Sequence, residues 1–196
     1  MQAEDRINDF VVQIATVNGT GSSSANTLLM KAIFRMGIPV VGKNYFPSNI
    51  QGLPTWYEIR VTGEGYLARS SKVDIMVAMN AQTYAEDLAS VVTNGVLIYD
   101  SSWPRAELED RSDITVLPVP LSKMCNESFT GARARILMKN IAYVGAIAAL
   151  IEIDRDVVRQ LLSETFTDKP DLVESNMQAF ELGYDYTQAE FNCPLE

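Results

Sequence analysis

Residues 10–17 (FVVQIATV) are apolar and rich in β-branched side chains, the composition of a strand buried on both faces. A run of small residues follows, NGTGSSSAN. From residue 27 to 36 the period changes: Leu28, Leu29, Ala32, Ile33 and Met36 form one apolar stripe at helical spacing. Gly37 stands where a helix C-terminal cap is expected, and residues 38–41 read as a second strand. The opening is therefore strand, glycine loop, helix, strand: a βαβ unit. Residues 43–55 are irregular and carry Pro47, Gly52 and Pro54. Residues 56–62 and 66–70 read as two strands joined by a hairpin turn at 62–65. Residues 74–79 read as a buried strand and 83–93 as a helix stopped by Asn94 and Gly95. Strands follow at 96–99 and 114–119.

The remainder is helical. Residues 123–127 predict a short helix, 132–151 a long apolar one, and 155–165 an amphipathic one with Asp154 as N-cap. Residues 171–187 predict a last, polar helix. Alternating strands and helices ahead of a helical tail point to a three-layer α/β/α domain with a mostly parallel mixed sheet and a helical C-terminal extension. The Asp168-Lys169-Pro170 sequence suggests a division there: a domain over 1–169, then a helix and linker over 170–196, which leads toward a following domain in a fused chain; a separate subunit is the alternative.

Composition narrows the chemistry. The 196 residues are 47% hydrophobic, enough for a substantial core, and carry a net charge of −9. That balance argues against nucleic acid as a partner, because non-specific affinity there comes from neutralising phosphates. The longest apolar run, residues 141–151, is about half of the roughly 20 residues a membrane span needs, so no membrane association is expected. With a charged, polar start and no targeting segment in view, the expected location is cytoplasmic. There is no histidine, which removes Ser-His-Asp and Cys-His nucleophile systems and His-ligated metals. The two cysteines, Cys125 and Cys193, form no CxxC and cannot by themselves hold an iron–sulfur cluster. A disulfide between them is disfavoured in a reducing compartment.

The strongest local signal is Gly19-x-Gly21 between a strand and a helix. Two glycines let the backbone turn tightly and approach a ligand, and a helix N-terminus offers free N–H groups to phosphate. Thr20, Ser22 and Ser23 add hydroxyls. The dinucleotide fingerprint is incomplete, with Ser24 at the third glycine position and Lys43 where an acid is wanted for a ribose. No GK[ST] follows, so it is not a P-loop. A tight turn with no ligand reads equally well. Lys43 and Asn44 follow the second strand, where a cation and an amide would complement a phosphorylated ligand; a plain surface lysine is the alternative. The loop with Asn49, Gln51 and Gly52 mixes amide, aromatic and turn residues, and reads either as a cleft lining or as ordinary packing. Asp100 at a strand end reads as a cap rather than a catalytic acid, and Cys125 as a small buried apolar residue.

These residues resemble the gamma domain of 2-oxoacid:ferredoxin oxidoreductases. The match is nearest to the branch in which that domain precedes the alpha domain in one chain, typified by 2-oxoglutarate:ferredoxin oxidoreductase. The family's glycine loop corresponds to Gly19-Thr20-Gly21-Ser22, its basic loop to Lys43-Asn44, and its RGG-like element to Gln51-Gly52-Leu53. A later Val119-Pro120 and the Lys139-Asn140 to Gly145 helix also correspond. Two elements depart from the family pattern: GGQG is reduced to GSSS, and RGG is QGL.

The resemblance implies a part of an enzyme that converts a 2-oxoacid and coenzyme A to acyl-CoA and CO2, with ferredoxin as electron acceptor. It implies thiamine diphosphate with Mg2+ and a 4Fe-4S cluster in the alpha and beta partner domains or subunits. This chain, inactive alone, would help bind coenzyme A through Gly19, Thr20, Gly21, Ser22, Ser23, Lys43 and Asn44. Asn49, Gln51 and Gly52 would lie near the cleft mouth, and no residue here would be catalytic or hold a metal. Two other readings stand beside it: a docking domain that binds no coenzyme A, and a stand-alone nucleotide-binding α/β oxidoreductase.

Overall fold

A computed structural model describes residues 8–47, 50–66, 68, 72–103, 105 and 111–192. Its elements run β1 (Asp9–Val17), α1 (Ser22–Arg35), β2 (Val40–Tyr45), β3 (Pro54–Thr62), β4 (Val73–Ala78) and α2 (Tyr84–Ser90), then β5 (Val91–Asp100), β6 (Thr115–Val119), α3 (Leu121–Ser128), α4 (Ala132–Leu150), α5 (Arg155–Thr165) and α6 (Pro170–Glu190). The strands form one six-stranded sheet in the order β2-β3-β1-β4-β5-β6. From β1 to β6 the pairings are parallel, whereas β3 runs antiparallel to both β1 and β2.

Side-chain alternation sends each strand's residues to two faces. Val12, Ile14, Ile75, Val77, Val96 and Ile98 enter the main core with α1, α3, α4, α5 and α6. Ala15, Met76, Ala78 and Leu97 point the other way, into a smaller core under α2. The α/β/α layering expected from the sequence is therefore present, with unequal layers. The short helix α2 covers only one side, and β4, central and flanked by helices, is buried throughout.

The opening βαβ unit is modified. β2 does run parallel to β1, but β3 is inserted between them. The hairpin expected at residues 62–65 is corrected for the same reason. Both edges of β3 are taken, by β1 and by β2, so no third strand can pair there. Tyr66 and Ala68 are not in a strand, and residues 67, 69 and 70 of that expectation lie outside the described residues. The helix expected over 83–93 ends at Ser90, because the β-branched Val91, Val92 and Thr93 already belong to β5, in which Asn94 takes a positive φ of 64°.

α4 is the buried helix its apolar run predicts: from Asn140 to Ala148 nearly every side chain is inside. α6 is not a polar appendage. Val173, Met177, Phe180 and Tyr184 recur at helical spacing and bury against the main core, so the division expected at residue 169 does not divide the core. The two helices cross at glycines. A Cβ on Gly145 would lie 2.0 Å from the Phe180 carbonyl oxygen, and one on Gly183 would lie 1.8 Å from that of Ala142. Residues 193–196 of the expected linker, with Cys193, lie outside the described residues.

Two outcomes follow from this packing. Alanine normally stabilises a helix interior by about 1 kcal/mol over glycine. At Gly183 that sign reverses, because backbone atoms block the methyl group: Gly183→Ala is expected to lose about 2 kcal/mol net, a fall in Tm of roughly 5 °C. An unchanged or raised melting temperature would contradict the close crossing. In the smaller core, Asp87 accepts hydrogen bonds from the Trp56 indole (2.8 Å) and the Thr83 hydroxyl (2.7 Å). Burial nonetheless pushes its carboxyl above the ordinary value, only partly offset by those two donors. A carboxyl raised in the folded state binds more protons folded than unfolded, so its contribution to stability falls as pH rises through that raised value. Asp87→Asn is therefore expected to gain stability relative to the parent as pH rises above the ordinary aspartate range, measured by thermal melts on the acid side of neutrality.

Candidate functional site

Beyond the carboxyl end of β1 the chain makes a turn that only glycine satisfies. Gly19 and Gly21 take φ of +87° and +84°, in the left-handed region. A Cβ on Gly19 would also fall 2.5 Å from Cγ of Gln51, and one on Gly21 would fall 2.5 Å from Cδ2 of Leu137. The Thr20 hydroxyl closes the turn by donating to the Val17 carbonyl (2.8 Å).

The neighbouring loop is stitched to this turn. The Asn18 N–H donates to the Leu53 carbonyl (2.8 Å), the Gly52 N–H donates to the Asn18 carbonyl (3.0 Å), and the Asn18 amide donates to the Ile50 carbonyl (3.2 Å). The β1–β3 ladder thus continues past the strand ends. This is what brings residues 50–53 against Gly19.

α1 begins at once, at Ser22, five residues earlier than its apolar stripe indicates. Gly21 is its N-cap, no side chain caps its first turn, and that turn contains no acid. The free N–H groups and the positive end of the helix dipole therefore face a cleft. The cleft has a volume of about 330 Å³. Gly19, Gly21, Ser22, Ser23, Asn44 and Arg133 are among its lining residues, with Thr16, Asn18, Asn26 and Thr55 completing it. None of these is acidic, although the chain as a whole carries −9.

The structure brings some of the expected residues together and separates others. Ser22 is buried, its hydroxyl 2.9 Å from that of Thr16, whereas Ser23 is exposed at the cleft. Asn44 faces the cleft, with its side-chain oxygen accepting from the Thr55 hydroxyl (3.1 Å). Lys43 does not join it, and the expectation that the two act side by side is corrected. Adjacent residues of a strand point to opposite faces, and Lys43 projects to the other side of the sheet with its ammonium 5.0 Å from the Tyr45 ring centre. Thr20 is turned inward on Val17, Gln51 covers Gly19, and Gly52 contributes a backbone contact. Asn49 lies outside the described residues.

Sequence reasoning missed the cation of this cleft. Arg133, in the first turn of α4, is exposed and has no hydrogen-bond or ion-pair partner among the described residues. A signal was there: two arginines, 133 and 135, follow Gly131 at a helix N-terminus, where the dipole disfavours positive charge. Arg135 is engaged locally, donating to the Phe129 carbonyl (2.9 Å), which leaves Arg133 aimed at solvent and the cleft.

Asp100 is a cap, as its position at a strand end indicates. Its carboxylate accepts from the Ser122 N–H (3.2 Å) and hydroxyl at the start of α3, and Lys139 lies 3.8 Å away. Asp74 accepts from the Val11 N–H (2.9 Å). Cys125 is buried, and burial pushes its thiol up to about 11, so it is neither a thiolate nor a nucleophile near neutral pH. Among the described residues no group of three or more His, Cys, Asp or Glu side chains is placed to hold a metal ion, and no helix is long and apolar enough to cross a membrane.

The family model for pyruvate ferredoxin/flavodoxin oxidoreductase matches residues 11–186. Subunit alpha of 2-oxoacid:ferredoxin oxidoreductase 2 from Aeropyrum pernix is 21% identical, over 95% of this chain and 35% of its own length. The chain thus spans about a third of that curated relative. Among solved structures, 2-oxoglutarate:ferredoxin oxidoreductase from Magnetococcus marinus superposes with a TM-score of 0.82 at 23% identity, covering 95% of this chain and 32% of that one. It was solved with 2-oxoglutarate, coenzyme A and succinyl-CoA bound. The pyruvate oxidoreductase subunit PORC of Thermotoga maritima superposes at 0.72 with 16% identity, covering 91% of this chain and 97% of that one. The fold therefore occurs both as one third of a long chain and as nearly all of a short one. With nine-tenths of its length inside the family model, this chain belongs to the pyruvate ferredoxin/flavodoxin oxidoreductase family.

Proposed function

We propose that this chain is the gamma-type part of a 2-oxoacid:ferredoxin oxidoreductase and that its cleft holds the phosphates of coenzyme A. The observation that carries the reading is the acid-free cleft at the uncapped N-terminus of α1, with Arg133 beside it. A coenzyme A pyrophosphate there would accept hydrogen bonds from the first-turn N–H groups, with Ser23 and the Asn44 amide within the same cleft and Arg133 supplying charge. The Magnetococcus marinus relative was solved with coenzyme A, and its bound 2-oxoglutarate makes that acid the first 2-oxoacid to test.

The chain's part in the reaction is positional. It has no histidine, and its one described cysteine is buried. Two cysteines fall short of the four thiolates a 4Fe-4S cluster takes, so this chain alone does not fit the cluster. Decarboxylation and electron transfer to ferredoxin are assigned to alpha and beta partners carrying thiamine diphosphate and Mg2+. Fixing the phosphates of coenzyme A would raise the effective concentration of its thiol at the partners' reacting centre.

The test is the coenzyme A dependence of acyl-CoA formation in the assembled complex. Arg133→Ala is expected to raise KM for coenzyme A about five- to tenfold at low ionic strength, and less at high salt, as an exposed charge contact should behave. A larger effect at Lys43→Ala than at Arg133→Ala would overturn the assignment of the cation. No change with either variant, and none with Gly21→Ala, would remove coenzyme A from this cleft.

A further inference from the structure

One face of α4 touches the glycine loop and α1 at four levels. Arg133 lines the cleft, and Leu137 fills the space that a side chain at position 21 would need. Asn140 donates its side-chain amide to the Thr20 carbonyl (2.8 Å), and the Tyr143 hydroxyl donates to the side-chain oxygen of Asn26 (2.8 Å), itself a lining residue. These positions are spaced by four, three and three residues, which sets them on one side of a helix. Asn140 and Asn26 are buried, and Tyr143 is fully so.

The Thr20 carbonyl belongs to the peptide unit that joins Thr20 to Gly21, between the two left-handed glycines. Without the Asn140 amide this half-buried acceptor loses that donor, and the peptide unit that carries it is held less firmly. The chain supplies the donor from 120 positions away rather than from the loop itself. Hydrogen bonds that the loop makes on its other side, to residues 50–53, fix Asn18 and leave the Thr20 carbonyl to Asn140.

We infer that Asn140, seconded by Tyr143, is a positioning residue for anion binding: it holds the glycine loop and Asn26 so that the α1 N-terminus points into the cleft. Neither residue needs to touch the ligand. Their effect passes through the Thr20 carbonyl and the Asn26 amide. This inference rests on the coenzyme A reading of the cleft.

The experiment uses the assembled complex and measures KM for coenzyme A, KM for the 2-oxoacid and kcat, with Arg133→Ala run alongside. Asn140→Ala is expected to raise KM for coenzyme A about tenfold, with the 2-oxoacid KM within twofold of the parent. Tyr143→Phe keeps the ring that fills the core and removes only the hydroxyl. It is expected to raise the coenzyme A KM about threefold, and it serves as the test if Asn140→Ala does not fold. A purely structural role would lower stability or kcat and leave the coenzyme A KM of both variants at the parent value, which overturns the inference. If Arg133→Ala raises that KM while neither α4 variant does, the positioning role falls and the coenzyme A reading stands. If none of the three moves it, the inference falls, and Lys43→Ala and Gly21→Ala then decide whether the coenzyme A reading falls with it.

Discussion

The placement of α4 is the constraint on which the rest depends. This helix lies in the main core with the sheet, with α1 and α3 beside it and α6 crossing it. It is buried almost without interruption over its second half. A helix so enclosed cannot shift without moving its neighbours, because protein interiors are close-packed and deform little. The crossing with α6 is tighter still: at Gly145 and Gly183 each helix approaches the other's backbone, leaving no room for a Cβ. The first half of the same helix carries the residues that hold the glycine loop. The α6 crossing and the contacts to the glycine loop thus lie on one helix.

Charge is distributed to match. The protein is acidic overall, and a net −9 would repel a polyanionic ligand if spread evenly. It is not spread evenly. The cleft contains no acid, the first turns of α1 and α4 contain none, and Arg133 is the cation beside the loop. Several acidic side chains instead pair across helices, as in Arg35 with Glu164 and Arg159 with Glu174 and Glu181. Such exposed pairs add little stability. They keep negative charge on the helical outer surface.

The cleft also sits where the topology provides a gap. From β1 the chain leaves through α1 toward β2 on one side, while β4 pairs on the other. In open sheets ligands bind beyond the carboxyl ends of strands at such a switch. Antiparallel β3 brings its first residues, with Thr55 among them, to that same edge. The glycine loop is therefore walled by the start of β3 and the end of β2 as well as by α4.

Much of this was legible from local pattern. The β-branched runs of β1 and β4, the stripe of α1, the Asp154 cap, whose carboxylate accepts from the Asp156 N–H, and the Gly19-x-Gly21 turn all follow from short-range sterics and hydrogen bonding. That Lys43 and Asn44 face opposite ways was implicit in the strand period, once β2 is known to reach Tyr45. The stripe of α6 was hidden by the charged residues between its apolar positions. The rest needed the tertiary structure, because it depends on contacts between distant segments: β3 entering between β1 and β2, Arg133 arriving at the cleft, and Asn140 reaching Thr20. The sequence by itself determined which backbone could turn and which faces had to be buried, since those are properties of neighbouring residues. Which cation meets the glycine loop was decided only when α4 packed, because long-range contacts are set by how whole elements fill a common core.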